Sequence, residues 1–198
     1  YEILVGGHDV GKTTAVLAAI ESLPSTSGIC YIDVQNPPWR FTQDLAELIK
    51  FREHVMDFTA SIRRKASSTT LDESTPSSDG TAWLRLQNAL VRAASIYKSR
   101  YNSTMSLVID SADLLIQVPG ILIALQYFAK NMADKRLMKI VFVLSDGAGL
   151  YPMSQVSAFS RASVYEIGDV SDLEAIDYLV QHNISREQAA VAVKTLTG

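Results

Sequence analysis

The chain has 198 residues, of which 47% are hydrophobic and 20% charged, and its formal net charge is −3. This length fits one domain with a small lobe attached, and the charge balance gives no electrostatic reason to expect a nucleic-acid-binding surface. The single cysteine, Cys30, excludes an internal disulfide and favours a reducing, intracellular compartment. The longest uncharged run, 114–129, is too short to cross a bilayer and contains Gln, Pro and Gly, so no membrane partner is expected.

The first part of the chain alternates apolar runs with helix-like patterns. Residues 2–5 predict a short buried strand, 13–23 a helix and 29–34 a second strand. A Pro-Pro pair then breaks the chain before a helix over 41–49. The side chains expected to pack from these two helices are Ala15, Leu17, Ala18, Leu23, Phe41, Leu45, Leu48 and Ile49.

The next segment, 66–81, is rich in Ser, Thr, Pro and Gly without periodicity, which predicts a flexible insertion. A helix over 83–100 follows, expected to bury Leu86, Leu90, Ala93 and Tyr97. The later predicted elements are a strand at 105–110, a helix at 121–134, strands at 139–147 and 163–168, and two helices that open with capping boxes at 171–174 and 185–188.

This alternation of strands and helices predicts an α/β fold, and the near-continuous apolar runs of the third and fourth strands are typical of a parallel sheet covered on both faces. We expect a core over 1–168 and the start of a helical C-terminal subdomain over 169–198. Because the chain begins in a strand and stops at Leu-Thr-Gly, we expect it to be a piece of a longer protein.

One glycine-rich turn carries the strongest functional signal. Residues 6–13, Gly-Gly-His-Asp-Val-Gly-Lys-Thr, match the phosphate-binding pattern G-x-x-x-x-G-K-[ST] in full, after a strand and before a helix. Gly6, Gly7 and Gly11 are expected to adopt conformations that turn successive N–H groups toward one point. The dipole of the following helix adds positive potential there, so this loop predicts a phosphate cradle.

The side chains of this loop indicate a nucleoside triphosphate, ATP or another NTP, with Mg²⁺. Lys12 is expected to pair with the β- and γ-phosphates, and the Thr13 hydroxyl to bind Mg²⁺. His8 could touch phosphate, although a spectator at the rim is favoured. The predicted nucleotide-binding set is Gly6, Gly7, His8, Asp9, Val10, Gly11, Lys12, Thr13 and Thr14.

A carboxylate at the end of the third strand completes the predicted magnesium site. Asp110 follows the apolar run 107–109 and is expected to hold Mg²⁺ together with Thr13. Many P-loop ATPases have a glutamate at the next position, which polarises the attacking water, and here that position is Ser111. Asp113 could serve instead through a water or could cap the following helix, and capping is favoured. The sequence therefore supports nucleotide and Mg²⁺ binding better than fast hydrolysis.

Two further residues are candidates for the site. Ser145 ends the fourth strand and would reach the γ-phosphate if that strand lies between the first and the third, although ordinary turn chemistry explains it equally well. Arg161 precedes the fifth strand and is the best remaining cation for the phosphates, with a surface arginine slightly favoured.

With these residues, the chain resembles the P-loop ATPases of the AAA+/STAND group, in particular the archaeal-ATPase-like branch. The resemblance is carried by GGHDVGKTT, LVIDSAD, IVFVLSDG and the segment 165–198. The arrangement is especially similar to the NTPase region of fungal and oomycete Crinkler-type proteins. It implies a three-layer fold with a five-stranded sheet in the order 5-1-4-3-2. By position, Lys12 and Thr13 match Walker A, Asp110 matches Walker B, and Ser145 matches the sensor.

The same resemblance implies further domains of the parent chain as partners, and for a Crinkler-type protein it implies secretion and action in host cytoplasm or nucleus. The site residues leave several functions open. The first is slow ATP hydrolysis, followed by a non-hydrolysing nucleotide switch and by an interaction module with an inactive P-loop; a homo-oligomer fits each. A small-molecule kinase is weaker, because the Ser-rich segment lacks the arginines of a phosphate-covering lid.

Overall fold

A computed structural model describes residues 1–51, 77–145, 147–168 and 170–197. The strands are β1 (Glu2–Val5), β2 (Ile29–Asp33), β3 (Met105–Asp110), β4 (Met138–Leu144) and β5 (Ser163–Glu166). In this part of the chain they form one parallel sheet in the order β2-β3-β4-β1-β5. Viewed from the other edge this is 5-1-4-3-2, so the predicted α/β fold and strand order are confirmed.

Helices lie between the strands, as parallel connections require. The 66–81 insertion is only partly described: 66–76 lie outside the described residues, and 77–81 are helical rather than loop. Ser and Asp are favoured at the start of a helix, which explains why this polar segment joins the helix predicted from 83. The helices are α1 (Lys12–Glu21), α2 (Phe41–Leu48), α3 (Ser77–Tyr101), α4 (Pro119–Asp134), α5 (Leu150–Ser154), α6 (Asp172–Gln181) and α7 (Arg186–Thr197).

The core lies around the central strands β3 and β4, whose apolar side chains are almost fully buried. From α3, the buried residues are Leu86, Leu90 and Ala94, whereas the predicted Ala93 is exposed. The spacing of four residues keeps 86, 90 and 94 on one face, and position 93 falls beside that face. Tyr97, also predicted for this face, is half-buried.

The packing predicted for α1 is wrong. Ala15, Leu17, Ala18 and Leu23 are all exposed, Leu17 at 40% and Leu23 at 47%. A helix turns 100° per residue, so Ala15 and Leu17 lie about 200° apart and cannot share a packing face. On α2 the prediction is partly right, because Phe41 and Leu45 are buried while Ile49 is half-buried and Leu48 is 44% exposed.

Parallel pairing places the ends of β1, β2, β3 and β4 at one edge of the sheet. Val5 pairs with Leu144, and Asp33 pairs with Asp110, in the sheet register. The residues that follow these strands therefore meet at this edge, which we call the carboxyl edge.

The C-terminal helices follow the exposed edge strand β5. Ser171 and Glu174 form the predicted capping box of α6, with both reciprocal hydrogen bonds present. The hydrogen bond from Ser171 lowers the pKa of the Glu174 carboxyl. Before α7, the Gln188 backbone N–H donates to Ser185 Oγ at 3.3 Å. None of the helices in the described ranges has the length and apolar character needed to cross a bilayer.

Candidate nucleotide-binding site

The loop 6–11 joins β1 to α1 at the carboxyl edge, and its left-handed positions differ from those expected. Positive φ angles occur at Asp9 (62°) and Gly11 (82°), whereas Gly6 and Gly7 do not have them. Aspartate tolerates this conformation better than most residues, which is why a non-glycine residue can stand at position 9. Gly6 is required for another reason, since a Cβ there would overlap the carbonyl oxygen of Ile167.

Lys12 is the only side chain of α1 that is buried, at 7% exposure. Its ammonium donates to the carbonyl oxygen of Gly6 at 3.0 Å and to that of Gly7. These hydrogen bonds offset the desolvation of a buried cation. The Lys12 ammonium is therefore held against the loop by the loop's own carbonyl groups.

Thr13 and Asp110, which are 97 residues apart in sequence, meet directly. Thr13 Oγ1 donates to Asp110 Oδ2 at 2.8 Å, and the aspartate is 3% exposed. Two further groups donate to the same carboxylate: the Tyr31 hydroxyl to Oδ2 at 2.7 Å and the Ser111 backbone N–H to Oδ1 at 2.8 Å. Thr13 and Asp110, which were predicted to hold Mg²⁺ together, are thus in direct contact, and three donors orient the Asp110 carboxylate.

Tyr31 was missed by sequence reasoning. It lies on β2, next to β3. Burial is the main cause that raises the pKa of the Tyr31 phenol, and the hydrogen bond to Asp110 and the negative charges of Asp110 and Asp33 raise it further. A high pKa keeps the phenol protonated, so it acts as a donor to the carboxylate. The available signal was a tyrosine on a neighbouring strand, two residues before a strand-ending aspartate.

Ser111 and Asp33 form a second unpredicted contact. Ser111 has a left-handed backbone (φ 52°), and its hydroxyl donates to Asp33 Oδ1 at 2.7 Å. Gln35 Nε2 donates to the other oxygen, Oδ2, at 2.8 Å. The residue that stands where a glutamate is usual is therefore hydrogen-bonded to a carboxylate on the neighbouring strand.

Asp113 does not cap the following 3-10 helix (Ala112–Gln117), so the favoured capping interpretation is wrong. The cap position is Ser111, and Asp113 lies inside the first turn. Its Oδ1 instead accepts from the Ser145 backbone N–H at 3.1 Å. This hydrogen bond ties the segment after β3 to the end of β4.

Ser145 lies at the carboxyl edge, and its predicted sensor role stays a prediction. Strand β4 lies between β1 and β3, as predicted from the strand order, and Ser145 follows Leu144, which pairs with Val5. It lines the same cleft as Lys12 and Asp110.

Arg161 is at the wrong end of the sheet for phosphate binding, which corrects its assignment. Its carbonyl oxygen accepts from the Tyr1 amino group at 3.4 Å, and its side chain is 3.9 Å from Asp134 and 62% exposed. Tyr1 precedes β1, whereas the phosphate loop follows it, so a strand of about 13 Å separates Arg161 from the loop. Arg161 precedes a parallel strand, and residues before parallel strands gather at the amino edge.

The residues at the carboxyl edge enclose a cleft of about 270 Å³. Its lining is mostly polar and includes one buried cation and two carboxylates. Gly6, Gly7 and Val10 of the predicted set belong to the loop but not to this lining. The lining residues are His8, Asp9, Gly11, Lys12, Thr13, Thr14, Asp110, Ser111 and Ser145.

The donor set fits a partly hydrated Mg²⁺. In the described part of the chain, no group of three or more His, Cys, Asp or Glu residues is placed to hold a metal ion. Thr13 Oγ1 and an Asp110 oxygen offer two hard oxygen ligands side by side. Mg²⁺ in nucleotide sites usually takes one or two protein oxygens and completes its shell with phosphate oxygens and waters.

The fold has clear structural relatives, although no protein-family model and no curated protein matches the chain. The Aeropyrum pernix ORC2 protein, solved in ADPNP-ADP complexes, aligns with TM-score 0.58 and 14% identity over 91% of this chain and 44% of its own. The A. pernix ORC1 protein in complex with DNA aligns with a TM-score of 0.57 and 17% identity, over 92% of this chain and 43% of its own. The Walker-type ATPase paby2304 of Pyrococcus abyssi aligns with a TM-score of 0.57 and 12% identity, over 98% of this chain and 57% of its own.

The chain thus spans about half the length of these proteins. At such low identity the comparison shows the fold alone. The described residues have an α/β P-loop NTPase-like fold that matches the fold of the two A. pernix ORC structures.

Proposed function

We propose that this chain is a nucleotide-binding AAA+ module that binds ATP, or another NTP, with Mg²⁺ and hydrolyses it slowly. The observation that carries the proposal is the 2.8 Å contact between Thr13 and Asp110 beside a buried Lys12. A glycine-rich turn alone can occur by chance. A turn whose threonine meets a strand-ending carboxylate 97 residues later reproduces both halves of a nucleotide–magnesium site.

Each residue has a defined task in this proposal. Backbone N–H groups of the loop and the Lys12 ammonium bind the β- and γ-phosphates. Thr13 and Asp110 hold Mg²⁺, which when bound neutralises phosphate charge and fixes phosphate geometry. Tyr31 keeps the Asp110 carboxylate oriented, and Ser145 lines the cleft where the γ-phosphate is expected.

Slow turnover follows from two features of the cleft. Ser111 stands at the position of the usual glutamate, and a hydroxyl is a far weaker base. The lining described above includes Lys12 but no arginine. Arginine stabilises transition-state charge in many phosphoryl transfers, so its supply by a second copy of the chain would accelerate this one.

A non-hydrolysing switch is the second candidate, and one contact favours it. Gly6 lies so close to the Ile167 carbonyl that no Cβ fits between them. Ile167 follows β5 and leads to α6, so a change in loop conformation acts directly on the connection to the C-terminal helices. Bound phosphate would order that connection without any chemical step.

The wider context is proposed from the sequence resemblance. We propose that the module belongs to a longer, STAND-like protein of Crinkler type, whose other domains carry an effector activity inside a host cell. The absence of a nucleic-acid-binding surface stays a prediction, since one structural relative is described in complex with DNA.

The test compares the unmodified chain with Lys12→Ala, using Mg-ATP turnover and binding of a non-hydrolysable ATP analogue. Lys139→Ala is the matched control, because Lys139 lies near the start of β4, pairs with Glu2 and is 55% exposed. Turnover lost only in Lys12→Ala supports the ATPase. Lys12-dependent binding without turnover supports the switch, and equal binding by all three proteins contradicts both.

A further inference from the structure

Ser111 occupies the position at which many P-loop ATPases have a glutamate, and the role assigned to it here rests on the proposed function. We propose that Ser111 and Asp33 act as a pair that holds the attacking water. In this pair the Ser111 hydroxyl touches the water, and Asp33 is a positioning residue that acts through Ser111.

The first support is the hydrogen bond itself. Ser111 Oγ donates its proton to Asp33 Oδ1 at 2.7 Å, so the serine oxygen retains its lone pairs as acceptors. Ser111 lines the cleft beside Lys12 and Asp110, and Asp33 does not line it. A carboxylate outside the cleft thus sets the direction of a hydroxyl inside it.

The second support is the backbone of Ser111. Its φ of 52° is unfavourable for a residue with a side chain, and such positions persist only where surrounding contacts hold them. Three contacts do so here: the hydroxyl donates to Asp33, the backbone N–H donates to Asp110 Oδ1 at 2.8 Å, and the backbone carbonyl accepts from the Leu114 N–H at 3.1 Å.

The third support is that Asp33 is itself held in place. It is the register partner of Asp110 on the adjacent strand, and Gln35 Nε2 donates to its second oxygen at 2.8 Å. Two other carboxylates near Ser111 have different contacts: Asp110 accepts from Thr13 and Tyr31, and Asp113 accepts from the Ser145 backbone.

The step that this pair assists is hydrolysis of the β–γ phosphoanhydride. The water oxygen forms a bond to the γ-phosphorus while the bond to the bridging oxygen breaks, and ADP leaves with that electron pair. Of the two water protons, one stays on the released phosphate and the other passes to solvent. A water that donates to Ser111 Oγ has its oxygen lone pair turned toward phosphorus, and in phosphoryl transfer such positioning is most of the protein's contribution.

The experiment measures turnover, binding of a non-hydrolysable ATP analogue, and binding of ADP with aluminium fluoride, which mimics the transferring phosphoryl group with its attacking water. We compare three variants, Asp33→Ala, Ser111→Ala and the double variant, with the control Asp134→Ala. Asp134 is an exposed carboxylate at the amino edge of the sheet. Each single variant in the pair should lower turnover and aluminium-fluoride-complex affinity about tenfold or more, as for loss of a charge-assisted hydrogen bond. The double variant should be no worse than the worse single one.

A second background separates positioning from general structural support. In Ser111→Glu, the new carboxylate can hold water itself and is repelled by Asp33. Adding Asp33→Ala to Ser111→Glu should therefore raise turnover, whereas adding it to the unmodified chain lowers turnover. Affinity for the non-hydrolysable analogue should stay within about twofold in all these variants, since ground-state phosphate contacts are unchanged.

Three results would overturn the inference while leaving the proposed function intact. The first is Lys12-dependent turnover that Asp33→Ala does not change. The second is that the losses of turnover in Asp33→Ala and Ser111→Ala add up in the double variant. The third is that Asp33→Ala lowers turnover by a similar factor in the Ser111→Glu background. Absence of any Lys12-dependent turnover and of aluminium-fluoride-complex binding in the unmodified chain would overturn the hydrolysis proposal and this inference with it.

Discussion

Replacing Tyr31 with Phe removes one oxygen atom from the network around Asp110. The lost hydrogen bond is 2.7 Å long and ends on a carboxylate that is 3% exposed. Hydrogen bonds to charged groups contribute about 1.5–3 kcal/mol, and Thr13 still donates to the same oxygen, so we expect a loss of about 1.5 kcal/mol. For a chain of this length that loss lowers Tm by about 3–6 °C.

The assay is urea unfolding at neutral pH, with Tyr151→Phe as control because that side chain is 72% exposed. A difference below about 0.5 kcal/mol between the two variants would refute the assigned role, since ordinary surface substitutions have effects of that size. A second readout is the Mg²⁺ concentration that gives half-maximal binding of a nucleotide analogue. It should rise about tenfold or more in Tyr31→Phe, because partners that orient a metal-binding carboxylate tune metal affinity.

The remaining predictions test other parts of the site. Gly6→Ala should destabilise the fold and abolish nucleotide binding, because the added Cβ would overlap the Ile167 carbonyl oxygen. Gly7→Ala should unfold at nearly the same temperature as the unmodified chain, because its Cβ would lie 3.5 Å from its nearest neighbour. Equal melting temperatures for the two variants would contradict this. Arg161→Ala should leave analogue affinity and turnover unchanged, and a clear loss in either would show that the amino edge contributes to the site. Asp113→Ala should lower turnover more than it lowers affinity for the nucleotide analogue, because the Ser145 backbone N–H loses its acceptor. Steady-state kinetics and equilibrium binding measure the two effects, and a larger loss of affinity than of turnover would contradict the prediction.

The parts of the site that could be predicted are those whose residues follow one another in the sequence. The loop 6–13 contains its glycines, lysine and threonine in one stretch, so the match to a phosphate-binding pattern could be recognised locally, although the left-handed positions within it could not. Asp110 was found because a strand-ending carboxylate after an apolar run needs no knowledge of its neighbours. The strand order followed from the resemblance, and with that order Ser145 lines the same cleft as the loop residues, while its sensor role stays a prediction.

The parts that could not be predicted depend on register between strands. Tyr31 and Asp33 reach the site because β2 pairs with β3 so that Asp33 lies opposite Asp110. A shift of one residue would turn both side chains to the other face of the sheet, and nothing local in the sequence excludes it. Arg161 failed for a related reason, since its charge was recognised while the edge of the sheet on which it lies was not.

The exposure of α1 has a consequence for dynamics. Val16 and Ile20 are half-buried and Lys12 alone is fully buried, so the helix is attached to the sheet largely through the loop and its lysine. Local opening of such an element costs much less than global unfolding, and its amide protons should exchange with solvent well before those of β3 and β4. A ligand that binds only the closed loop slows this exchange in proportion to its occupancy. The amides of α1 would then report phosphate binding at equilibrium, even in a variant that carries out no chemistry.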